Sequence, residues 1–156
     1  MVAGGDLNQV AELEHLGPEP LDRDFSAAYL WEVTRGRTAA IKNLLMDQRL
    51  VAGIGNIYAS EILFRAGVRP LRRGRKVTRA EAGRIVQATQ EVLREAISGR
   101  GTTFRSYRDS RGRPGRFARR LRVYDRAGQP CLKCSTPIRA VTLGQRSSFY
   151  CPRCQK

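Results

Sequence analysis

Long apolar runs are missing from this sequence, and so is the basic-then-apolar opening of a secretory leader. No stretch approaches the roughly 18 apolar residues that a membrane span needs. MVAGGDLNQV at the start carries neither signal, so a soluble chain in a reducing, cytoplasmic setting is expected. Histidine is nearly absent. The single one, His15, lies in the acidic leading segment and reads as a surface or linker residue. Lysine is scarce: 25 of the 29 basic residues are arginine, and arginine grips phosphate with a planar fork that lysine lacks. Acids thin out after residue 34. Residues 1–34 hold seven acids and one base, a net of −6, whereas residues 35–156 hold 28 bases and seven acids, a net of +21. The hydrophobic fraction, 41% of 156 residues, excludes global disorder and suits one ordinary domain or two small ones. A net charge of +15 points to a polyanion, most often nucleic acid. Composition alone leaves a ribosomal-type protein or a generally basic proteome open.

The basic residues crowd most closely at 100–124, where nine arginines meet one acid, Asp109. Gly101, Gly112, Pro114 and Gly115 oppose regular structure, so a mobile basic loop is expected. Phe104, Tyr107 and Phe117 lie among the arginines, which favours nucleic acid over a merely solvated charge run. Ahead of this loop the pattern is helical. LGPEPL at 16–21 reads as a linker. Phe25, Tyr29, Leu30 and Val33 then recur at helix spacing behind a capping Asp24, and Gly36 ends that helix. A second helix runs from Thr38 to about Gln48, and a third from about Ile57 to Arg65, stopped by Gly67. Thr78 and Glu81 form a capping box for the longest helix. Its stripe is Ala82, Ile85, Thr89, Val92, Leu93 and Ile97, and Gly99 closes it. After the loop, LRVYD and IRAVTL read as short strands. The fold class is mainly α with a small β unit.

Cys131, Cys134, Cys151 and Cys154 give C-x2-C-x16-C-x2-C, a spacing that suits one four-cysteine zinc ion. The sixteen intervening residues hold two short strands, with Leu143 to Arg146 at or near their turn. Two disulfides are the competing reading, disfavoured by a reducing compartment. Four thiolates close the coordination shell, so the metal is structural.

Gly53-Ile54-Gly55-Asn56 sits between two helices and opens the second. Glycines let backbone approach a ligand, and a helix start presents unpaired N–H groups with partial positive charge. Asn56 can donate to the same anion, and Lys42 can add a point charge. The alternative is a glycine pair that only makes a tight turn.

In this order, LGPEPL (16–21), LMD (45–47), VAGIGNIYASEILF (51–64), GTTFRSY (101–107), LRVYDRAGQPC (121–131) and QRSSFYCPRCQ (145–155) resemble the formamidopyrimidine-DNA glycosylase and endonuclease VIII family, nearer the former branch. The resemblance covers nearly everything from Leu16 onward. It implies a helix-two-turn-helix module followed by a zinc β-hairpin, clamping duplex DNA that is damaged or abasic. Divided accordingly, residues 1–20 are the remnant of an N-terminal domain and linker, 21–99 the helix-two-turn-helix domain, 100–120 the lesion-loop segment and 121–156 the zinc ribbon. Gly53, Gly55 and Asn56 become the phosphate-gripping turn beside Lys42, and Tyr124 a backbone contact. Arg146 enters the minor groove. Thr102, Thr103, Phe104, Arg105, Ser106 and Tyr107 become the loop over an everted oxidised purine.

The same resemblance implies base-excision repair by a bifunctional glycosylase and abasic-site lyase, monomeric and nucleoid-associated in a bacterial cytoplasm. Its nucleophile is an N-terminal proline followed by glutamate. This sequence begins Met1-Val2-Ala3, so no catalytic residue is assigned, and the chain alone is expected to be inactive unless an N-terminal catalytic domain is supplied separately. A free-standing, non-enzymatic zinc-dependent DNA-binding module is the alternative. Two positions depart from the family: Ser135 and Asp125 each stand where it usually has glycine. Ser135 is expected to strain the zinc knuckle, and Asp125 to put an acid near the DNA face.

Overall fold

The computed structural model describes residues 16–98 and 121–156. His15, the closing Gly99 and the proposed lesion loop at 102–107 lie outside the described residues. The elements run α1 (Ala27–Thr34), α2 (Ile41–Leu45), α3 (Asn56–Ala66), a 3-10 turn (Gly74–Lys76), α4 (Arg79–Ser98), β1 (Arg139–Leu143) and β2 (Arg146–Tyr150). The chain is thus mainly helical, with a small antiparallel hairpin at its end.

Residues 16–21 are more firmly held than a linker. The Gly17 N–H donates to the Gln48 carbonyl at 2.8 Å, and the Ala52 N–H to the Pro18 carbonyl at 3.0 Å. A Cβ on Gly17 would stand 2.4 Å from the Leu50 carbonyl carbon, so only glycine fits this approach. Helix α1 is capped by Ser26, whose hydroxyl accepts the Tyr29 N–H at 3.1 Å, rather than by Asp24. Asp24 belongs to the preceding turn, where its N–H faces the Asp22 carboxylate. Arg35 follows the helix and donates to the carbonyls of Trp31, Gly74, Arg75 and Val77. Its guanidinium lies 4.7 Å from the Trp31 ring centre, and that of Arg79 lies 4.1 Å from it.

Helix α2 is shorter than the span from Thr38 predicts. Residues 39–41 are instead paired with 72–74: the Ile41 N–H donates to the Arg72 carbonyl at 2.6 Å, and the Gly74 N–H to the Ala39 carbonyl at 2.9 Å. Helix α3 is the centre of the molecule, with nine of its eleven residues buried. Gly67 ends it in the left-handed conformation at φ 74°, the arrangement expected of a C-terminal glycine. Both bonds of the capping box on α4 are present. Thr78 accepts from the Glu81 N–H at 3.1 Å, and Glu81 accepts from the Thr78 N–H at 2.9 Å. Ala82, Ile85, Thr89 and Val92 face inward as expected, while Ile97 is exposed. Together α1, α3 and α4 close over Leu30, Ile57, Ile62, Leu63, Ile85 and Val92. Each such large side chain contributes about 1.5–3 kcal/mol by leaving water.

In the hairpin, Leu143 pairs with Arg146 and Arg139 with Tyr150, leaving a two-residue turn whose Gly144 has φ 62°. LRVYD, expected as a strand, forms a turn. The N–H groups of Arg122, Val123 and Tyr124 all donate to the Glu61 carboxylate, at 2.8, 2.9 and 2.9 Å. Backbone donors committed to one carboxylate cannot also serve a β-ladder. Asp125 and Ser135 have φ of 60° and 68°, the positive-φ positions without glycine among the described residues. They are the two positions at which the resemblance leads one to expect glycine.

Candidate nucleic-acid interface and metal centre

The turn before α3 is built by its own side chains. Asp47 accepts the Arg49 N–H at 3.0 Å, and Arg49 returns to pair with the carboxylate at 3.1 Å. That bond and the Arg49 charge hold the Asp47 carboxyl below the usual range. The Leu50 carbonyl accepts the Tyr29 hydroxyl at 2.6 Å. Gln48 accepts the Gly53 N–H at 2.7 Å, so this amide is spent inside the loop. Gly53 itself, at φ 85°, supplies turn geometry. Gly55 occupies the N-cap of α3, and no side chain caps that end. Such a start offers its first N–H groups, with the positive pole of the helix, to an anion.

Lys42 and Asn56 meet beside this helix start, away from the solvent. Lys42 is 0% exposed and Asn56 6%. The Lys42 ammonium donates to the Asn56 side-chain oxygen and, at 2.7 Å, to the Ser148 hydroxyl. The Asn56 side-chain nitrogen donates to the Ser147 carbonyl at 3.0 Å. Burial and the nearby Arg146 charge lower the Lys42 pKa to about 8, so it remains a cation at neutral pH. Lys42, Asn56 and Arg146, 104 residues apart at the extremes, therefore converge. Lys42 and Asn56 form a buried joint between α3 and β2, and Arg146 stands exposed at the start of that strand. Tyr124 sits elsewhere on the ribbon, its ring edge-on to Phe149 at 5.1 Å.

The four cysteine sulfurs all lie within 4.8 Å of one another. Burial and the three neighbouring sulfurs push the Cys154 thiol up to about 12. Four thiols this close do not ionise together unless a cation stands among them, which is the chemistry of a thiolate-bound metal. Backbone N–H groups of Lys133 and Cys154 point at the sulfurs of Cys131 and Cys151, at 3.4 and 3.3 Å, and offset thiolate charge.

Residues 16–107 match a family model, the formamidopyrimidine-DNA glycosylase H2TH domain. The chain belongs to the formamidopyrimidine-DNA glycosylase family. Residues 128–156 match the zinc finger found in FPG and IleRS, and with the sulfur geometry this makes the cysteine cluster a structural site for one zinc ion. The formamidopyrimidine-DNA glycosylase of Syntrophotalea carbinolica is 52% identical over 94% of this chain and 54% of its own length. That of Serratia proteamaculans is 50% identical over 97% and 56%. The chain thus spans about half the length of the curated relatives it matches. Among solved structures, the MutM (Fpg) protein of Thermus thermophilus is 41% identical with a TM-score of 0.85, covering 99% of this chain and 59% of that one. A Lactococcus lactis Fpg in complex with DNA containing an abasic site has a TM-score of 0.84 at 29% identity, covering 99% and 57%. Among the described residues, no helix is long and apolar enough to cross a membrane.

Sequence reasoning missed the polar residues that join this family's two modules. Ser148, which meets Lys42, carries no signal, because a small polar residue in a strand is ordinary. Glu61 does carry one. It falls at helical spacing from Ile57 and Phe64, on the buried face of α3, where an unpaired acid would be costly.

Proposed function

We propose that this chain is the duplex-binding part of a base-excision-repair DNA glycosylase and abasic-site lyase acting on oxidised purines. The uncapped start of α3 takes one backbone phosphate. Arg146 at the ribbon turn takes neighbouring phosphates from the minor groove, and Tyr124 adds a contact further along the ribbon. Lys42, Gly53 and Asn56 serve by shaping the joint and the turn, the buried Lys42 charge adding only to the positive field beneath the phosphate. Residues 102–107 are assigned to the everted base, residues 121–156 to the zinc ribbon, and the helical module takes in residues 16–20 as well, since Gly17 and Pro18 bond to Gln48 and Ala52. The protein works as a monomer near the bacterial nucleoid.

One observation carries the reading. An uncapped helix start and the exposed Arg146 meet at the junction of the helical module and the zinc ribbon, over the buried charge of Lys42. Such a surface neutralises phosphates without reading bases. Titration of a duplex bearing an abasic-site analogue, across a range of salt, tests it. Arg146→Ala is expected to weaken binding on every sequence and to reduce the salt slope by about 1. An unchanged affinity refutes the assignment of Arg146, and no duplex binding by the wild-type chain refutes the reading as a whole.

A further inference from the structure

Glu61 is a charged residue that the proposed DNA interface does not use. It is 1% exposed in the middle of α3, a position where a buried carboxylate is expensive unless every lone pair has a partner. Its partners are three consecutive backbone N–H groups, a concave nest of the kind that binds anions. One carboxylate oxygen accepts from Arg122, and the other from Val123 and Tyr124. Residues 121–124 have no ladder of their own, so these bonds fix where the ribbon begins. From there the contact runs on: the Tyr124 ring packs edge-on against Phe149, and Phe149 lies in β2, which opens with Arg146. Burial pushes the Glu61 carboxyl up, whereas the three N–H bonds and the Arg65 charge pull it back.

We infer that Glu61 is a positioning residue: through the backbone of residues 122–124 it sets the zinc ribbon, and with it Tyr124 and Arg146, at the height on α3 that a duplex requires. Glu61 touches no DNA. The inference rests on the duplex-binding reading and assigns that surface its register. Asn56 and Lys42 hold the ribbon at the start of α3, through Ser147 and Ser148. Arg69 and Gln155 hold it past the end of the helix, through the carbonyls of Pro152 and Val68. Glu61 is the middle fixing point, and it accepts the Tyr124 N–H directly.

Glu61→Gln keeps the volume but sets an amide N–H₂ against a backbone donor, so at least one of the three bonds is lost. The test is a thermodynamic cycle on the full chain, with zinc content and helical circular dichroism recorded for every variant. Glu61→Gln is expected to keep one zinc and its helices, and to bind duplex about tenfold more weakly. Arg146→Ala is then expected to have a smaller effect in that background than in wild type, because the arginine is already misplaced. Equal binding by E61Q and wild type overturns the inference. So does full multiplication of the two losses, as independent sites would give. If E61Q does not fold, Glu61→Asp takes its place with the same expectations. Failure of both to fold makes Glu61 a stability residue and overturns the inference too. A wild-type chain that ignores duplex DNA would instead strike at the function proposed above.

Discussion

Helices α1–α4 and the loops between them close over nineteen buried apolar residues, whereas the ribbon's cluster has six: Val123, Cys131, Ile138, Phe149, Cys151 and Phe64, the last borrowed from α3. The helical module has a core of its own, and the ribbon does not. Apart from the cysteines and the borrowed Phe64, three apolar side chains cannot offset the conformational entropy of 36 ordered residues. What the ribbon lacks in buried surface it takes from a metal and from polar bonds to its neighbour. Four thiolates gather around one ion, Glu61 receives the incoming backbone, and the C-terminal residues bind back onto the end of α3. There Gln155 donates to the Val68 carbonyl at 2.9 Å and accepts the Cys151 N–H at 2.8 Å. Two modules of one chain are thus stabilised by different physics, and different conditions are expected to threaten each.

Removing the metal is the strongest way to break this comparison. Structural zinc contributes about 10–16 kcal/mol of apparent binding free energy in small zinc modules. Chelation, or Cys151→Ser, is expected to unfold residues 121–156 while the helical signal of α1–α4 persists. Circular dichroism with amide hydrogen exchange reads the two halves separately. Simultaneous loss of both would mean that the helical core depends on the ribbon.

A smaller effect is expected at the joint. Lys42 has its pKa lowered from 10.5 to about 8, so between those values the unfolded chain holds more protons than the folded one. The contribution of Lys42 to stability therefore rises with pH through that window, by up to about 3 kcal/mol. Urea denaturation of wild type and Lys42→Met at several pH values reads it. Their difference in stability is expected to shift in favour of wild type from about pH 8 upward. A difference independent of pH would mean that the joint is wetter than the structure shows.

The smallest effect belongs to the ribbon alone. Ser135 at φ 68° carries a side chain in the left-handed region, a strain of about 1–2 kcal/mol for a residue other than glycine. Ser135→Gly is expected to recover part of it as resistance to chelator, with no change in the melting of the helices. Asp125→Gly is expected to gain less, since aspartate tolerates that region better.

The same contrast explains what the sequence made legible. Helix existence followed from apolar periodicity, the capping box from Thr78 and Glu81, and the metal site from cysteine spacing. Each of these signals is local or follows a fixed pattern. The resemblance, carried by motifs in register, identified the fold, and the family match agrees with it. What failed was long-range polar pairing. LRVYD has strand composition, and only the distant Glu61 makes it a turn. Thr38 is a sound helix start, but pairing with residues 72–74 delays the helix to Ile41. Lys42 looked like a surface charge because nothing nearby in sequence announces that Ser148 and Asn56 enclose it. The strain at Ser135 was legible, through a glycine expected at that position.

The chain's one tryptophan, Trp31, stands on α1 against the guanidinium groups of Arg35 and Arg79, while Tyr124 and Tyr150 lie on the ribbon. The molecule consequently carries its own optical division. Indole emission follows the helices, tyrosine signals include the ribbon, and a titration watched at both wavelengths shows which half answers first.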